Sequence, residues 1–290
     1  MPVFPLNSVC SQTVWHGGAH VSEALVSFRF ESVVRQVFQS VLVLRLGIRL
    51  LWLVALACSA DPGSVDSLIR KGDLQEKNGQ YRESLDSYWA ADRLAPNRAD
   101  ILARISIGYG ELCDSSNFPE EKYRHTEAAF DYAKRAVRAG KGSAKAHLAL
   151  AIAYGRKAEH ASPRTQIESS KLIREEVTQS IELDSKDDYA WHVLGCWHLR
   201  MATLSPVLSA LAKIFYGGLP PGSLGEAQEC LKKSVELAPD CIAHHNELAK
   251  AYAAAGKKDL ARAEWRKILK LTPSEPGDAR VIREAKIRSR

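Results

Sequence analysis

The sequence predicts an all-α protein, a right-handed superhelix of antiparallel helix pairs built from one repeated unit. Three observations carry this. Small residues and a proline recur with a 34-residue period from Val65 onward. Between them, apolar residues fall at helical three-and-four spacing. A hydrophobic content of 46 % with 26 % charged residues over 290 positions suits a folded chain with a large core, not wholesale disorder.

The first unit, 65–98, places Leu68, Gly72, Gly79, Tyr81, Ser84, Tyr88, Ala91 and Pro96 at positions 4, 8, 15, 17, 20, 24, 27 and 32. The last unit, 242–275, places Leu248, Ala249, Tyr252, Gly256, Ala261, Trp265 and Pro273 at positions 7, 8, 11, 15, 20, 24 and 32. This is the pattern of the tetratricopeptide repeat (TPR). Small residues at 8 and 20 let the two helices touch, and large ones at 4, 7, 11 and 24 fill the gaps around them. Proline at 32 ends the second helix because it has no N–H to donate.

Three units fit between, at 99–143, 144–187 and 188–241. In the outer units, positions 8 and 20 are twelve residues apart. In the middle units the interval grows to 23 (Ser106–Ala129), 22 (Ala151–Ile173) and 32 (Gly195–Ala227). Each excess lies between the two helices of its unit, so all three map to one edge of the stack. The largest contains "LSPVLSALAKIFYGGLPPGS" (204–223). Val207, Leu208, Leu211, Ile214 and Phe215 have helical spacing, so the insert is expected to lengthen a helix or add one that packs on its neighbours. Gly217-Gly218 and Pro220-Pro221 end it. A basic helix over 276–290 is expected to cover the last apolar face.

Ahead of the repeats, residues 1–40 show no period and remain unassigned. Residues 41–60 read as a signal peptide or membrane anchor: Arg45 and Arg49 precede an apolar run at 50–57, followed by Cys58, Ser59 and Ala60. Ala55-Leu56-Ala57-Cys58 resembles a bacterial lipobox, which makes Cys58 a lipidation candidate. Some forty residues precede this signal, so a downstream start, an internal anchor and a buried helix stay open. The six cysteines form no CxxC pair and no disulfide framework. The expected location is exported or membrane-anchored (periplasm or outer membrane in a bacterium), with cytoplasmic or mitochondrial as the alternative.

The stretch "WHVLGCWHLRMATLSPVLSALAKIFYGGLPPGSLGEAQECLKKSVELAP", then "HHNELAKAY", with "AIAYGRKAEH" upstream, resembles the regulator of microtubule dynamics family. The likeness spans 65–273 and is specific in units three to five; a bacterial-type member is one form it can take. It implies an all-helical, non-catalytic repeat protein, associated in animals with microtubules and with mitochondrial or endoplasmic-reticulum membranes. Tubulin is implied as a partner only for a eukaryotic-type member.

Positions 2, 5, 9 and 12 of the first helix in each unit face the concave side of a TPR stack. They give Asp66, Ile69, Asp73 and Glu76 in the first unit. In the fourth they give Tyr189, His192, Cys196 and Leu199, and in the fifth Ala243, Asn246, Lys250 and Ala253. Tyr189, His192, Leu199, Asn246 and Lys250 are the binding candidates. Chaperone-binding TPR domains hold a carboxylate with Lys and Asn at positions 5 and 9 of their first repeat; Ile69 and Asp73 stand there instead, so that clamp is not expected. His192 and Cys196 have a ligand-like spacing, but Trp191, Leu194 and Gly195 account for the helix as a packing element, so no metal site is expected. Gly-rich phosphate loops, HExxH and GxSxG are missing. Neither an enzyme nor a cofactor is expected.

Residues 242–290 hold twelve Lys/Arg against six Asp/Glu, interspersed rather than forming a stripe with stacking aromatics, so nucleic acid is not a predicted partner. The expected function is a scaffold for a protein or peptide ligand, with membrane anchoring through the N-terminus. A microtubule- or organelle-associated adaptor is the alternative.

Overall fold

A computed structural model describes residues 63–159, 161–275 and 277–290, apart from the side chains of Pro206, Leu208, Leu211, Phe215 and Tyr216. The expectations for 1–40, for the signal or anchor at 41–60 and for Cys58 lie outside the described residues. Among those described there are twelve helices and no strand: α1 Val65–Lys77, α2 Tyr81–Leu94, α3 Ala99–Ser115, α4 Pro119–Ala139, α5 Ala144–Ala158 and α6 Pro163–Leu183, then α7 Asp188–Ala202, α8 Pro206–Tyr216, α9 Leu224–Leu237, α10 Ile242–Ala254, α11 Lys258–Ile268 and α12 Asp278–Arg288.

Local chemistry sets the ends of the helices. Ser64, Ser143, Ser162, Asp187 and Ser223 cap α1, α5, α6, α7 and α9, each side-chain oxygen accepting from N–H groups of the first turn. Gly79 and Gly256, at φ 73° and 74°, turn α1 into α2 and α10 into α11 through the left-handed region that glycine tolerates.

The helices pair α1 with α2, α3 with α4, α5 with α6, α7 with α9 and α10 with α11; each pair packs on the next, and α12 covers α10 and α11. Four apolar clusters follow one another along this stack. A Cβ on Gly72 would lie 2.3 Å from the Tyr88 ring, and one on Gly195 would lie 2.6 Å from Leu231 Cγ. The small residue at position 8 thus lets the large residue at position 24 be buried completely, as Tyr88 and Leu231 are. Burial of that kind stabilises by about 1.5–3 kcal/mol per side chain.

Position 4 has a role in units three to five that its residue types hide. His147 Nε2, Trp191 Nε1 and His245 Nε2 each lie 2.9 Å from the carbonyl oxygen six residues earlier, on Lys141, Ser185 and Pro239. Two of the rings also reach the second helix: His147 Nδ1 lies 2.6 Å from Glu176 and His245 Nδ1 2.6 Å from Glu264. The inter-repeat turn, first helix and second helix are tied through one side chain.

The extra residues of the middle units become helix. α3 and α4 have 17 and 21 residues where α1 and α2 have 13 and 14. α6 again has 21. In the fourth unit the excess forms a separate helix, α8, which lies against α6. It buries Ala212 and leaves Val207 and Ile214 68 % and 72 % exposed. The expectation that the insert packs on its neighbours is therefore met on one side only. None of the helices among the described residues is long and apolar enough to cross a membrane.

Candidate functional site

The extended helices enclose a groove of about 740 Å³ between α5, α6, α7 and α8. Its walls are largely apolar: Ile152 on α5, Ile167 and Ile173 on α6, Val193 and Trp197 on α7, and Ala212 on α8. Pro163 and Ile167 belong to the turns by which α6 exceeds a plain second helix, and Ala212 and Leu219 to the fourth-unit insert. The insertions thus complete a groove whose other walls are first helices of the repeat. Trp197 holds two walls together, its Nε1–H donating to Ser170 O at 2.8 Å and lying 3.1 Å from Ser170 Oγ.

Of the five predicted binding residues, Tyr189 and His192 line the groove. Leu199, Asn246 and Lys250 do not. Leu199 packs into the apolar cluster around Leu231 and Trp265. Asn246 is 5 % exposed, and its Oδ1 lies 3.4 Å from Trp265 Nε1. Lys250 Nζ pairs with Glu247 at 2.6 Å. These three occupy the right helical phase, but their neighbours use them.

Beside the groove a polar chain runs from α10 to α7. His244 Nε2 lies 2.7 Å from Asp188 Oδ2, His244 Nδ1 3.1 Å from His192 Nδ1, and His192 Nε2 3.6 Å from Cys196 Sγ. Tyr189 stacks on the His192 ring at 5.2 Å. Burial is the first cause of every shift here. It lowers His192 to about 3, aided by the nearby His244 and Lys250. It lowers His244 despite the Asp188 carboxylate and raises the Cys196 thiol and the Tyr189 hydroxyl. The spacing of His192 and Cys196 was legible in the sequence. His244, fifty-two residues further on, was not. No group of three or more metal-binding side chains is present among the described residues.

A second polar cluster lies on α1 to α5. Tyr88 Oη is 2.8 Å from both Asp73 and Glu76, and Arg104 clasps Asp73 at 2.7 and 3.1 Å. Burial works against both acids. Asp73 still ends below the usual carboxylate range because Arg104 and Tyr88 bond to it, whereas Glu76 ends above it. Arg156, on the edge of the groove, bonds Asp114 at 2.7 Å and lies 3.5 Å from Glu111. It passes over Gly110 so closely that a Cβ there would meet Arg156 Nη1 at 2.2 Å.

The family model described as regulator of microtubule dynamics protein 1-3 matches residues 65–288. The chain is 29 % identical over 189 residues to regulator of microtubule dynamics protein 1 of Mus musculus, covering 64 % of this chain and 57 % of that one. It is 25 % identical over 207 residues to regulator of microtubule dynamics protein 3 of Xenopus laevis, covering 71 % and 44 %. The chain therefore spans about half the length of these relatives. A thermophilic TPR protein of Thermus thermophilus superposes with a TM-score of 0.56 at 16 % identity, covering 78 % of this chain and 98 % of that one. The shared architecture is a TPR-like helical solenoid.

Proposed function

The chain belongs to the regulator of microtubule dynamics family, and from that premise we propose that it is a non-catalytic scaffold holding a segment of a partner protein in the groove between α5 and α8. One observation carries this reading. The residues by which the middle units exceed a plain repeat, among them Pro163, Ile167, Ala212 and Leu219, add walls to a groove whose other walls are the first helices α5 and α7, while the pairs α1/α2 and α10/α11 close their cores without any such addition. Apolar walls with a polar edge suit an extended or helical peptide whose large side chains enter between the helices.

Gly155 provides the test. It lines the groove, and a Cβ there meets only Ile173 Cδ1, at 4.0 Å. Gly155→Trp starts from a Cβ that meets no clash and carries a ring into the groove. Peptides selected from a displayed random library on the full chain should lose at least about tenfold in affinity for Gly155→Trp, equal to about 1.4 kcal/mol. Unchanged binding would remove the groove from the proposal.

A microtubule-associated adaptor is the second reading, favoured by the family and by the cationic excess in 242–290. It requires co-sedimentation with polymerised tubulin that weakens as salt rises, and no binding at low salt would end it. Envelope anchoring rests on residues 41–60. Intact mass of the protein from its native cells, with its location, tests it: a chain starting at a diacylated Cys58 supports export, and a full-length chain with Met1 intact in the cytoplasm rules it out.

A further inference from the structure

The three links of the four-residue chain beside the groove allow one proton arrangement when both rings are neutral. Asp188 as a carboxylate only accepts, so His244 Nε2 carries the hydrogen and donates. His244 Nδ1 then accepts, so His192 Nδ1 donates to it. That leaves His192 Nε2 with a free lone pair, towards which the Cys196 thiol donates. The tautomers follow from the network. A thiol thus faces an imidazole lone pair on a ring held by a second ring and a carboxylate, and both Cys196 and His192 line a largely apolar cavity. A nucleophile, a base in hydrogen-bond reach and a group orienting that base make up the arrangement that activates side chains for attack.

We propose that Cys196 is a covalent-modification site for apolar α,β-unsaturated carbonyl compounds entering the groove, with His192 as its base and His244 and Asp188 as positioning residues. The thiol proton passes to His192 Nε2 while a sulfur electron pair forms the bond to the β-carbon. The C=C π pair moves to the α-carbon, which takes that proton back from His192. The step has no leaving group and changes no cofactor. While His192 holds the proton, the charge lies next to His244 and, through it, Asp188. The pair rests as thiol and neutral imidazole, so the base acts during attack and no standing thiolate is required.

The other described cysteines lack this arrangement and serve as controls in the same chain. Cys113 is buried against Thr126 at 3.3 Å, Cys230 is buried, and Cys241 is half-buried like Cys196 but sits at the N-cap of α10. The test is N-ethylmaleimide labelling of the full chain, read peptide by peptide by mass spectrometry. Cys196 should react at least about tenfold faster than Cys241, less than the hundredfold of a full catalytic base. His192→Gln should abolish the difference. Asp188→Asn should reduce it severalfold while the Cys241 rate and the melting temperature hold, a pattern that a merely structural role would not produce. If His192→Gln unfolds, exposing Cys113 and Cys230, the parental rate ratio and Asp188→Asn decide. Equal rates at Cys196 and Cys241, or an unchanged ratio in a folded His192→Gln chain, overturn the proposal.

Discussion

Two polar clusters lie along the same series of first helices and are built from opposite materials. On α1 and α3, Asp73, Glu76 and Arg104 gather round a Tyr88 ring that is fully buried and fills the gap over Gly72. On α7 and α10, Asp188, His244, His192 and Cys196 form a chain that ends at a cavity. The first cluster encloses an apolar payload with formal charges. The second keeps its rings neutral and offers its last member to the groove. The difference teaches that polar residues of one series of first helices form a closed cluster around a buried ring in one place and, further along the stack, a chain that opens on the groove.

The largest expected effect breaks the first cluster. Tyr88→Ala removes a fully buried ring and leaves Asp73 and Glu76 without its hydroxyl; by the usual cost of deleting a buried aromatic it should lower stability by about 3–5 kcal/mol in urea unfolding. A loss under about 1 kcal/mol would show that the repeat closes without it.

Acid acts against the paired rings of the second cluster and in both directions on the first, where Asp73 is lowered and Glu76 raised. His192 is held at about 3 and His244 is lowered, both from 6.5, with burial the first cause. The unfolded chain takes protons at these rings as pH falls below 6.5 and the folded chain takes them only at lower pH, so their contribution is present above 6.5 and is lost on acidification. Glu76 and Glu111 are raised, burial again first, so the fold takes up their protons before the unfolded chain does and gains from acid. His125 and His198 are also lowered, and they remain in both chains of the comparison. The urea midpoint of the His192→Gln/His244→Gln chain should therefore fall less between pH 6.5 and 5 than that of the parent. Parallel curves would mean that the two rings titrate alike in the folded and unfolded chain.

The smallest effect sharpens the role of the groove. Gly155→Ala enters open space on a helix and should stabilise by about 0.5–1 kcal/mol, the ordinary gain over glycine. A loss would mean that this wall is more tightly packed than the 4.0 Å approach to Ile173 indicates.

Particular residues show how much of this was legible. The pairing of position 8 with position 24, as in Gly72 with Tyr88, follows from a period that a single sequence displays. The concave phase singled out Tyr189 and His192, which line the groove, and also Asn246 and Leu199, which do not. Helical phase says which way a side chain leaves its own helix. It does not say whether a Trp265 on another helix is waiting there. The function of the position-4 residues was hidden for a related reason: a Trp stands in unit four where His147 and His245 stand in units three and five, and what all three share is a distance to a carbonyl.

The sequence by itself determined the helices, their pairing and the point at which the middle units enlarge, because period, caps and glycines act over a few residues. Only the tertiary structure decided what the enlargement encloses and which side chains meet there. A chain such as Asp188–His244–His192–Cys196 joins residues fifty-six positions apart through contacts of 2.7 to 3.6 Å, and those contacts exist only once the repeats have stacked.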